Sequence, residues 1–451
     1  MQNTNDLTRG QVSSRLLGFF FPMLLTNTLQ QAYTFVDTII VGKGLGDQAL
    51  GSVGNLSSMM LLITGFLMGI TNGFAVNIAQ SFGAGNGRLL RKNIAHSIKL
   101  CSGITVALTV GSLISLKPLL ISMQTSPTLI RDSLLYGYIF FGGLIVTAAY
   151  NLCSCILRAI GDSKTPFKAI IISSVVNIVL DCLFIFVFHT GVEGAAVATV
   201  AAQMISVLVC YQKLHQNMKL PLIRDDFMKD HAISLSLLSN GVPAALMNSV
   251  TAVGCMVVQG YVNAMGAAFT SAYSACTKYL NLMMLPSLTA GFSLSAFVSQ
   301  NKGAGNVQRI REGVRVGIWI AFVSWIVIGS LMLLIPEQLA SVMLNERETI
   351  SLAAGFLRIC SVSLLLLNLL FIFRSTVQGM GHPLIPMCSG IAEMALRIPV
   401  IIFMVKSVGF GATAYAESIA WIGALVPNVV AYIVFICQAE DQSASTTSLT
   451  E

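Results

Sequence analysis

The sequence predicts an all-α polytopic membrane protein of about twelve transmembrane helices, arranged as two pseudo-twofold six-helix lobes around a central cavity. The 451-residue chain is 55% hydrophobic and only 10% charged, a composition that a single water-soluble core could not bury. Apolar runs long enough to cross about 30 Å of hydrocarbon as helices recur from end to end. The two halves of the chain also repeat each other.

Glycine, proline and charged residues divide the apolar runs into separate segments. The first run is too long for the apolar region of a signal peptide, so we expect it to remain as the first span. The predicted spans are 16–42, 49–79, 94–116, 134–158, 166–188, 191–213, 233–262, 268–299, 313–335, 351–378, 385–406 and 411–436.

The positive charges predict the orientation of these spans. With a cytoplasmic amino terminus, the inside segments hold seventeen of the 26 Lys and Arg, and the outside segments hold five. This positive-inside bias predicts a cell (inner or plasma) membrane protein with both termini in the cytoplasm. The net charge of +7 is therefore a feature of topology, and no nucleic-acid partner is expected.

An internal repeat appears when the chain is shifted by 220 residues. The stretch "QSFGAGNGRLLRK" (80–92) aligns with "QNKGAGNVQRIRE" (300–312), and "RAIGDSKTP" (158–166) aligns with "QGMGHPLIP" (378–386). We interpret the paired GAGN turns as tight cytoplasmic connections, because neither completes a phosphate-binding motif. Two parallel halves of six spans are typical of transporters whose lobes rock around a cavity. The predicted divisions are an N-lobe (1–218), a linker (219–232), a C-lobe (233–438) and a polar tail (439–451).

Four carboxylates lie within predicted spans away from the span ends, where a charge is costly and indicates function by default. These acids are Asp37, Asp181, Glu393 and Glu417. Asn177 lies one helical turn from Asp181 on the same face. By helix rise, Asp37, Asn177, Asp181 and Thr199 reach a common depth, roughly 8 to 16 Å below the outer face.

These four side chains form the predicted cation-coupling site. Carboxylate, amide and hydroxyl oxygens suit Na⁺, which makes the same residues the predicted metal ligands, whereas two adjacent carboxylates could instead share a proton. The alternative is that the two aspartates only hydrogen-bond neighbouring helices. The second half contains no equivalent site, because Arg397 and Ile401 occupy the corresponding positions.

Other polar and methionine side chains within spans are candidates for lining a substrate cavity. Glu393 and Arg397 are spaced i, i+4 and are expected to pair within one helix. The flexible thioethers of methionine suit ligands of varied shape. The candidate cavity residues are Gln30, Gln31, Tyr33, Tyr136, Asn151, Met256, Lys278, Met283 and Arg397.

Enzyme signatures such as HExxH, GxSxG and a P-loop are absent from the sequence, and no catalytic residues are predicted. The ten cysteines lack metal-binding spacings and are interpreted as small apolar residues. No cofactor is expected beyond a transported H⁺ or Na⁺, whose gradient would supply the energy.

These motifs together resemble the MATE family of multidrug and toxic compound extrusion transporters, from "PMLLTNTLQQAYTFVDTIIVG" (22–42) through the paired turns to the twelfth span. The resemblance implies export of cationic or amphipathic compounds against inward Na⁺ or H⁺. In the DinF-like branch it implies a cation site on Asp37, Asn177, Asp181 and Thr199. The acids that the NorM-like branch carries in the seventh and tenth spans are missing here, which favours the DinF-like arrangement.

The predicted function is therefore a secondary active multidrug exporter, acting as a monomer on small cationic or amphipathic drugs in a lipid bilayer. A lipid-linked oligosaccharide or precursor flippase of the same wider superfamily is the alternative, and it would require a basic cavity. A channel or membrane scaffold is a third possibility, which gradient-driven accumulation would exclude.

Overall fold

The computed structural model describes residues 6–122, 125–217 and 222–448, and these ranges are helical and contain no β-strand. A π-helical turn, Leu183–Val187, extends α7, and a 3₁₀ turn, Arg224–Phe227, precedes α9. The sixteen α-helices in these ranges are α1 (Val12–Leu45), α2 (Asp47–Gly54), α3 (Ser57–Gly83), α4 (Gly87–Ser122), α5 (Pro127–Gly142), α6 (Leu144–Ala159), α7 (Lys164–Cys182), α8 (Val192–Asn217), α9 (His231–Met265), α10 (Ala267–Met283), α11 (Leu285–Gly303), α12 (Val307–Leu334), α13 (Pro336–Met343), α14 (Arg347–Gly379), α15 (Leu384–Val408) and α16 (Gly411–Ser448).

Nine helical segments in the described ranges are long and apolar enough to cross a membrane, and two bent pairs raise the number to eleven. The predicted fourth span is broken by 43° between α5 and α6, and the predicted eighth by 41° between α10 and α11. The 34-residue α1 is not among them, because Asn27, Gln30 and Gln31 interrupt its apolar run. The chain is therefore an all-α multi-pass membrane protein, with two of the predicted spans bent.

The repeat is present in the backbone structure as well as in the amino-acid sequence. Helices α4 and α12 begin 220 residues apart, as do α7 and α15. Three pairs of glycines at the same spacing adopt positive φ, a conformation that side chains with a Cβ rarely tolerate. These pairs are Gly46 and Gly266, Gly85 and Gly305, and Gly161 and Gly381. The duplicated glycines thus mark duplicated helix ends.

Each GAGN turn closes one helix and opens the next. In the first turn the backbone N–H of Asn86 donates to the Ser81 carbonyl at 3.2 Å while Gly85 has φ 68°, which is the Schellman way of ending a helix. The Asn86 side chain then accepts a hydrogen bond from Leu89 N–H at 3.0 Å and caps α4. The second turn has the same 6→1 backbone bond, at 2.8 Å. The interpretation of both turns as tight connections is confirmed.

The chain divides into two compact units whose boundaries fall inside helices. The first unit contains Gly18–Ala245 and the second contains Leu7–Leu17 together with the residues from Leu246 onward. The predicted linker (219–232) lies within the first unit, and its residues 219–221 lie outside the described residues, as do residues 449–451 of the predicted tail. Helix α16 continues into that tail as far as Ser448.

Two helices of the first unit approach each other closely at small residues. A Cβ on Gly69 would lie 2.4 Å from the Ala245 Cα, and a Cβ on Gly73 would lie 2.4 Å from the Gly241 Cα. Glycines four residues apart allow helix backbones to meet in lipid, where apolar burial gives little driving force. The amino-terminal part of α9 is therefore packed directly against α3.

The second unit holds the start of the chain in place through side chains around the second GAGN turn. We call residues 7–10 the amino-terminal segment. Leu7 is fully buried, its N–H donates to Gln300 Oε1 at 3.1 Å, and its carbonyl accepts from Asn301 Nδ2 at 3.2 Å. Arg309 donates to the carbonyls of Leu7 and Gly10 at 3.0 and 2.8 Å. Side chains around the second GAGN turn thus satisfy both backbone groups of Leu7 and the carbonyl of Gly10.

The first GAGN turn holds the linker in a corresponding way. Arg91 Nε donates to Asp226 Oδ2 at 3.2 Å, and the same oxygen accepts from Ile223 N–H at 3.1 Å. Lys92 pairs with Asp230 at 3.1 Å. In both halves, the residues around the turn therefore dock the segment that leads into the first long helix of the other half, a role that the sequence comparison did not suggest.

Candidate functional site

Two acidic side chains of the first unit meet at the place where α1 and α7 approach each other. The carboxyl groups of Asp37 and Asp181 lie within hydrogen-bonding reach of each other. Asn177 lies one turn earlier on α7, and both α7 side chains are buried, at 1% and 0% exposure. The sequence explains the shared face, because residues four apart point in one direction on a helix.

These groups lack hydrogen-bond donors. Among the described residues, no donor reaches Asp37 Oδ1 or either carboxylate oxygen of Asp181, and both amide atoms of Asn177 are without a partner. Buried polar atoms in folded proteins are almost always hydrogen-bonded, and two facing carboxylates cannot satisfy each other while both are ionised. The arrangement therefore lacks a positive charge, which a proton or a small cation would supply.

A cavity of about 200 Å³ lies beside this carboxyl pair in the first unit. Asp37 and Tyr136 line it together with Thr38 and Ser57. Tyr33 and Tyr136 are close enough to both aspartates to interact with them electrostatically. The space and the surrounding hydroxyl groups provide room for a hydrated ion or a proton-carrying water beside Asp37.

The fourth predicted ligand, Thr199 on α8, differs from the other three because its side chain has a hydrogen-bond partner. Its hydroxyl donates to the Ala195 carbonyl of its own helix at 3.0 Å. A hydroxyl oxygen that donates one bond keeps its lone pairs, so this arrangement leaves Thr199 able to act as an acceptor or ligand. In the described chain, no group of three or more His, Cys, Asp or Glu residues is suited to a metal. The role of all four residues in cation binding stays a prediction.

The predicted cavity-lining residues have different environments within their units. In the first unit Gln30 and Gln31 are exposed, Asn151 is half-buried and Tyr136 is buried. In the second unit Met256 and Lys278 are exposed, whereas Met283 is buried. Their role in substrate binding stays a prediction.

Arg397, another of the candidate cavity residues, is buried in an ion-paired cluster of the second unit. Its guanidinium lies 2.9 Å from Glu393 and 2.8 Å from Glu417. The predicted i, i+4 pair with Glu393 is therefore confirmed. The sequence left Arg374 and Glu417 without partners, and the structure places Arg374 2.8 Å from Glu393. We call these four residues the α14–α16 charge cluster.

One signal in the sequence could have found this cluster. Within their predicted spans, three consecutive apolar helices hold two acids and three arginines. Unpaired charges in a membrane are costly, so charges of opposite sign on neighbouring helices indicate mutual pairing. The particular pairs depend on helix packing.

Long apolar helices, an internal repeat and buried charges within the spans define the class of protein as a polytopic membrane transporter rather than an enzyme. The MatE family model matches residues 22–183 and 243–403, so each half of the chain matches it separately. The chain belongs to the MatE family, the family that the sequence resembles.

Curated relatives and solved structures agree with this assignment. The chain is 30% identical to the probable multidrug resistance protein YoeA of Bacillus subtilis (strain 168) over 393 residues, which cover 85% of this chain and 84% of that protein. It is 22% identical to a FAD transporter of Shewanella oneidensis, with 88% of each chain covered. The fold matches the crystal structure of MATE in the bent conformation with a TM-score of 0.91 at 21% identity, over 98% of this chain and 100% of that one.

Proposed function

We propose that this protein is a secondary active exporter of cationic and amphipathic compounds, driven by inward movement of H⁺ or Na⁺. The observation that carries the proposal is the pair of half-buried Asp37 and buried Asp181, in which Asp37 Oδ1 and both carboxylate oxygens of Asp181 have no donor among the described residues. Like charges about 4 Å apart repel by about 4 kcal/mol at an effective dielectric constant near 20. The pair therefore binds a proton or a cation from the side that supplies it.

The bound ion affects the distance between α1 and α7, because each helix contributes one of the two carboxylates. Occupancy favours the arrangement in which Asp37 and Asp181 are close, and loss of the ion favours their separation. A ligand shifts an equilibrium only through its different affinity for the two states. Export follows if the drug and the ion prefer opposite states, so that each lowers the affinity for the other.

Several features support the wider assignment. Relatives such as the B. subtilis protein YoeA are named as probable multidrug resistance proteins. Exposed methionine and polar side chains, including Met256 and Gln30, suit substrates of varied shape. The positive-inside bias supports a location in the cell membrane with both termini in the cytoplasm, and we propose that the monomer is the transporting unit.

The flippase alternative requires unneutralised positive charge for a pyrophosphate group. Arg374 and Arg397 are neutralised by carboxylates within the second unit, and Arg358 pairs with Glu337 at 3.1 Å. These pairs favour drug export over the flippase. A lipid-linked sugar transfer assay on the same proteoliposomes distinguishes the two.

The decisive experiment is efflux of a fluorescent cation from proteoliposomes, with H⁺ and Na⁺ gradients imposed separately. We expect Asp37→Asn and Asp181→Asn each to reduce gradient-driven efflux at least tenfold, because the neutral amide cannot exchange an ion. Glu337→Gln, which removes an exposed carboxylate, is the matched control and should keep full activity. Undiminished efflux in both aspartate variants would refute the proposal.

A further inference from the structure

The α14–α16 charge cluster of the second unit is not used by the proposed ion exchange. Its four side chains alternate in sign, from Arg374 through Glu393 and Arg397 to Glu417, and each is at most 11% exposed. Glu393 is the bridging group, since one of its oxygens contacts each arginine. Two guanidinium groups therefore converge on a single carboxylate inside the membrane-spanning part of the chain.

The cluster has more donors than acceptors. Two guanidinium groups carry ten N–H donors, and the two carboxylates offer four oxygens. The Nε–H groups of Arg374 and Arg397 are both buried and have no acceptor among the described residues. Ser389 adds only a long contact to Arg374, at 3.5 Å. Since buried donors are nearly always satisfied, the site fits an additional group that is rich in acceptor oxygens.

The cluster is reachable from a surface of the second unit. Cys255 on α9 is exposed, and its thiol is close enough to Arg397 to interact with it electrostatically. The other titratable groups that face the cluster are Tyr273 on α10 and Cys360 on α14. A ligand that reaches Cys255 thus meets a guanidinium immediately behind it.

We propose that Arg374 and Arg397 form a carboxylate-binding site for the transported molecule, in which Glu393 is the resident anion that the substrate replaces. This inference rests on the proposed export function and extends its substrate class to zwitterions and monocarboxylic acids. An arginine fork matches a carboxylate in geometry and binds it with paired hydrogen bonds.

The exchange conserves charge and protons. The substrate binds as its carboxylic acid, its proton passes to Glu393, and its carboxylate takes over the contacts with the two arginines. The ligand carboxylate replaces the charge of Glu393, so the cluster together with this carboxylate has the same net charge as before, and the carboxylate is not left unpaired in the membrane. Release reverses the proton transfer.

The test uses a matched pair of dyes, rhodamine 110 with a free carboxylic acid and rhodamine 123, its methyl ester. Fluorescence anisotropy measures the binding of each to the full-length protein in lipid nanodiscs without any gradient. The double variant Arg374→Gln with Glu393→Gln removes one charge of each sign and retains the Arg397–Glu417 pair. We expect it to weaken binding of the acid at least tenfold and to leave binding of the ester unchanged.

The matched control is Arg358→Gln with Glu337→Gln, which removes an exposed ion pair and should change neither affinity. If the cluster variant weakens acid and ester equally, or affects neither, the cluster holds only water and the proposal is overturned. Asp37→Asn should leave the difference in binding affinity between the acid and the ester intact. Failure of ion coupling can therefore be distinguished from failure of carboxylate recognition.

A second measurement needs no substitution in the cluster. Alkylation of Cys255 by N-ethylmaleimide, followed by peptide mass spectrometry, reports on access to Arg397 in the wild-type protein. At equal occupancy we expect the acid to slow this alkylation at least fivefold more than the ester does. Equal protection by both dyes would overturn the proposal even if the double variant failed to fold.

Discussion

The close approach of α3 and α9 in the first unit makes Gly73→Ala a sharp test of the packing. The added Cβ would lie 2.4 Å from the Gly241 Cα and 2.5 Å from the Asn240 carbonyl oxygen, and both atoms belong to backbone that cannot rotate away. Ordinary van der Waals contact begins near 3.4 Å, so the helices must separate by about 1 Å. The substitution therefore acts on the helix spacing.

Separation also weakens the polar contacts between the same two helices. Asn77 accepts a hydrogen bond from Asn240 at 2.5 Å and donates one to Ser236 at 3.0 Å. Overpacking costs about 1–3 kcal/mol, and an interhelical hydrogen bond in a membrane contributes about 0.6 kcal/mol, up to about 1.7. We expect a total loss of about 2–4 kcal/mol, which corresponds to a fall of about 2–4 °C in melting temperature for a chain of this length.

The assay is thermal unfolding of the purified protein in detergent, followed by fluorescence-detected size exclusion. Gly65→Ala on the same helix is the control, because a Cβ there meets nothing within 4 Å. Alanine is the better helix former, so this control should be neutral or slightly stabilising. If Gly73→Ala proves as stable as Gly65→Ala, the two helices do not touch at Gly73 and the reasoning fails.

Three further predictions concern the segments that the two GAGN turns hold. Asp226→Ala should lower the free energy of unfolding by about 1–3 kcal/mol, because buried donors lose a charged acceptor. Equal thermal stability of this variant and wild type would contradict the geometry. The hydrogen bond from Lys92 lowers the pKa of half-buried Asp230. The stabilisation by this group should therefore be present above its ordinary pKa near 3.8 and be lost as the pH falls through the lowered value, so the Asp230→Asn variant and wild type should converge in unfolding temperature at acidic pH. Arg309→Gln should increase hydrogen exchange in the amino-terminal segment at least tenfold by mass spectrometry, because the Gly10 carbonyl loses its donor and the Leu7 carbonyl loses one of its two donors. Unchanged exchange would show that the remaining contacts of the segment hold it without Arg309.

Much of the fold was predictable because membranes impose a strong rule on sequence. In lipid, a helix must satisfy the hydrogen bonds of its own backbone. Apolar runs of the right length therefore reveal the membrane spans. The bends at Gly143 and Met284 were missed, because a short break within an apolar run does not change its composition. The ends of α1 and α9 that join the opposite units were also missed, because the sequence gives no measure of which half a connecting segment packs against.

The candidate site was predictable in its members and only partly in its arrangement. Asp37, Asn177 and Asp181 are visible as polar residues in apolar runs, and helical periodicity places the latter two on one face. The approach of α1 to α7 that brings the carboxyl groups together is a property of packing. The same holds for the α14–α16 charge cluster, where only the pair four residues apart followed from spacing.

By itself, the sequence determined the helical membrane class, the duplication of the halves and the identity of the buried charges. These properties depend on composition and on contacts between residues near in the chain. Only the tertiary structure decided which charges meet, which helices bend, and that each GAGN turn docks a segment from the other half. Such contacts join residues up to about 300 positions apart, and their geometry is fixed by the packing of whole helices rather than by any local pattern.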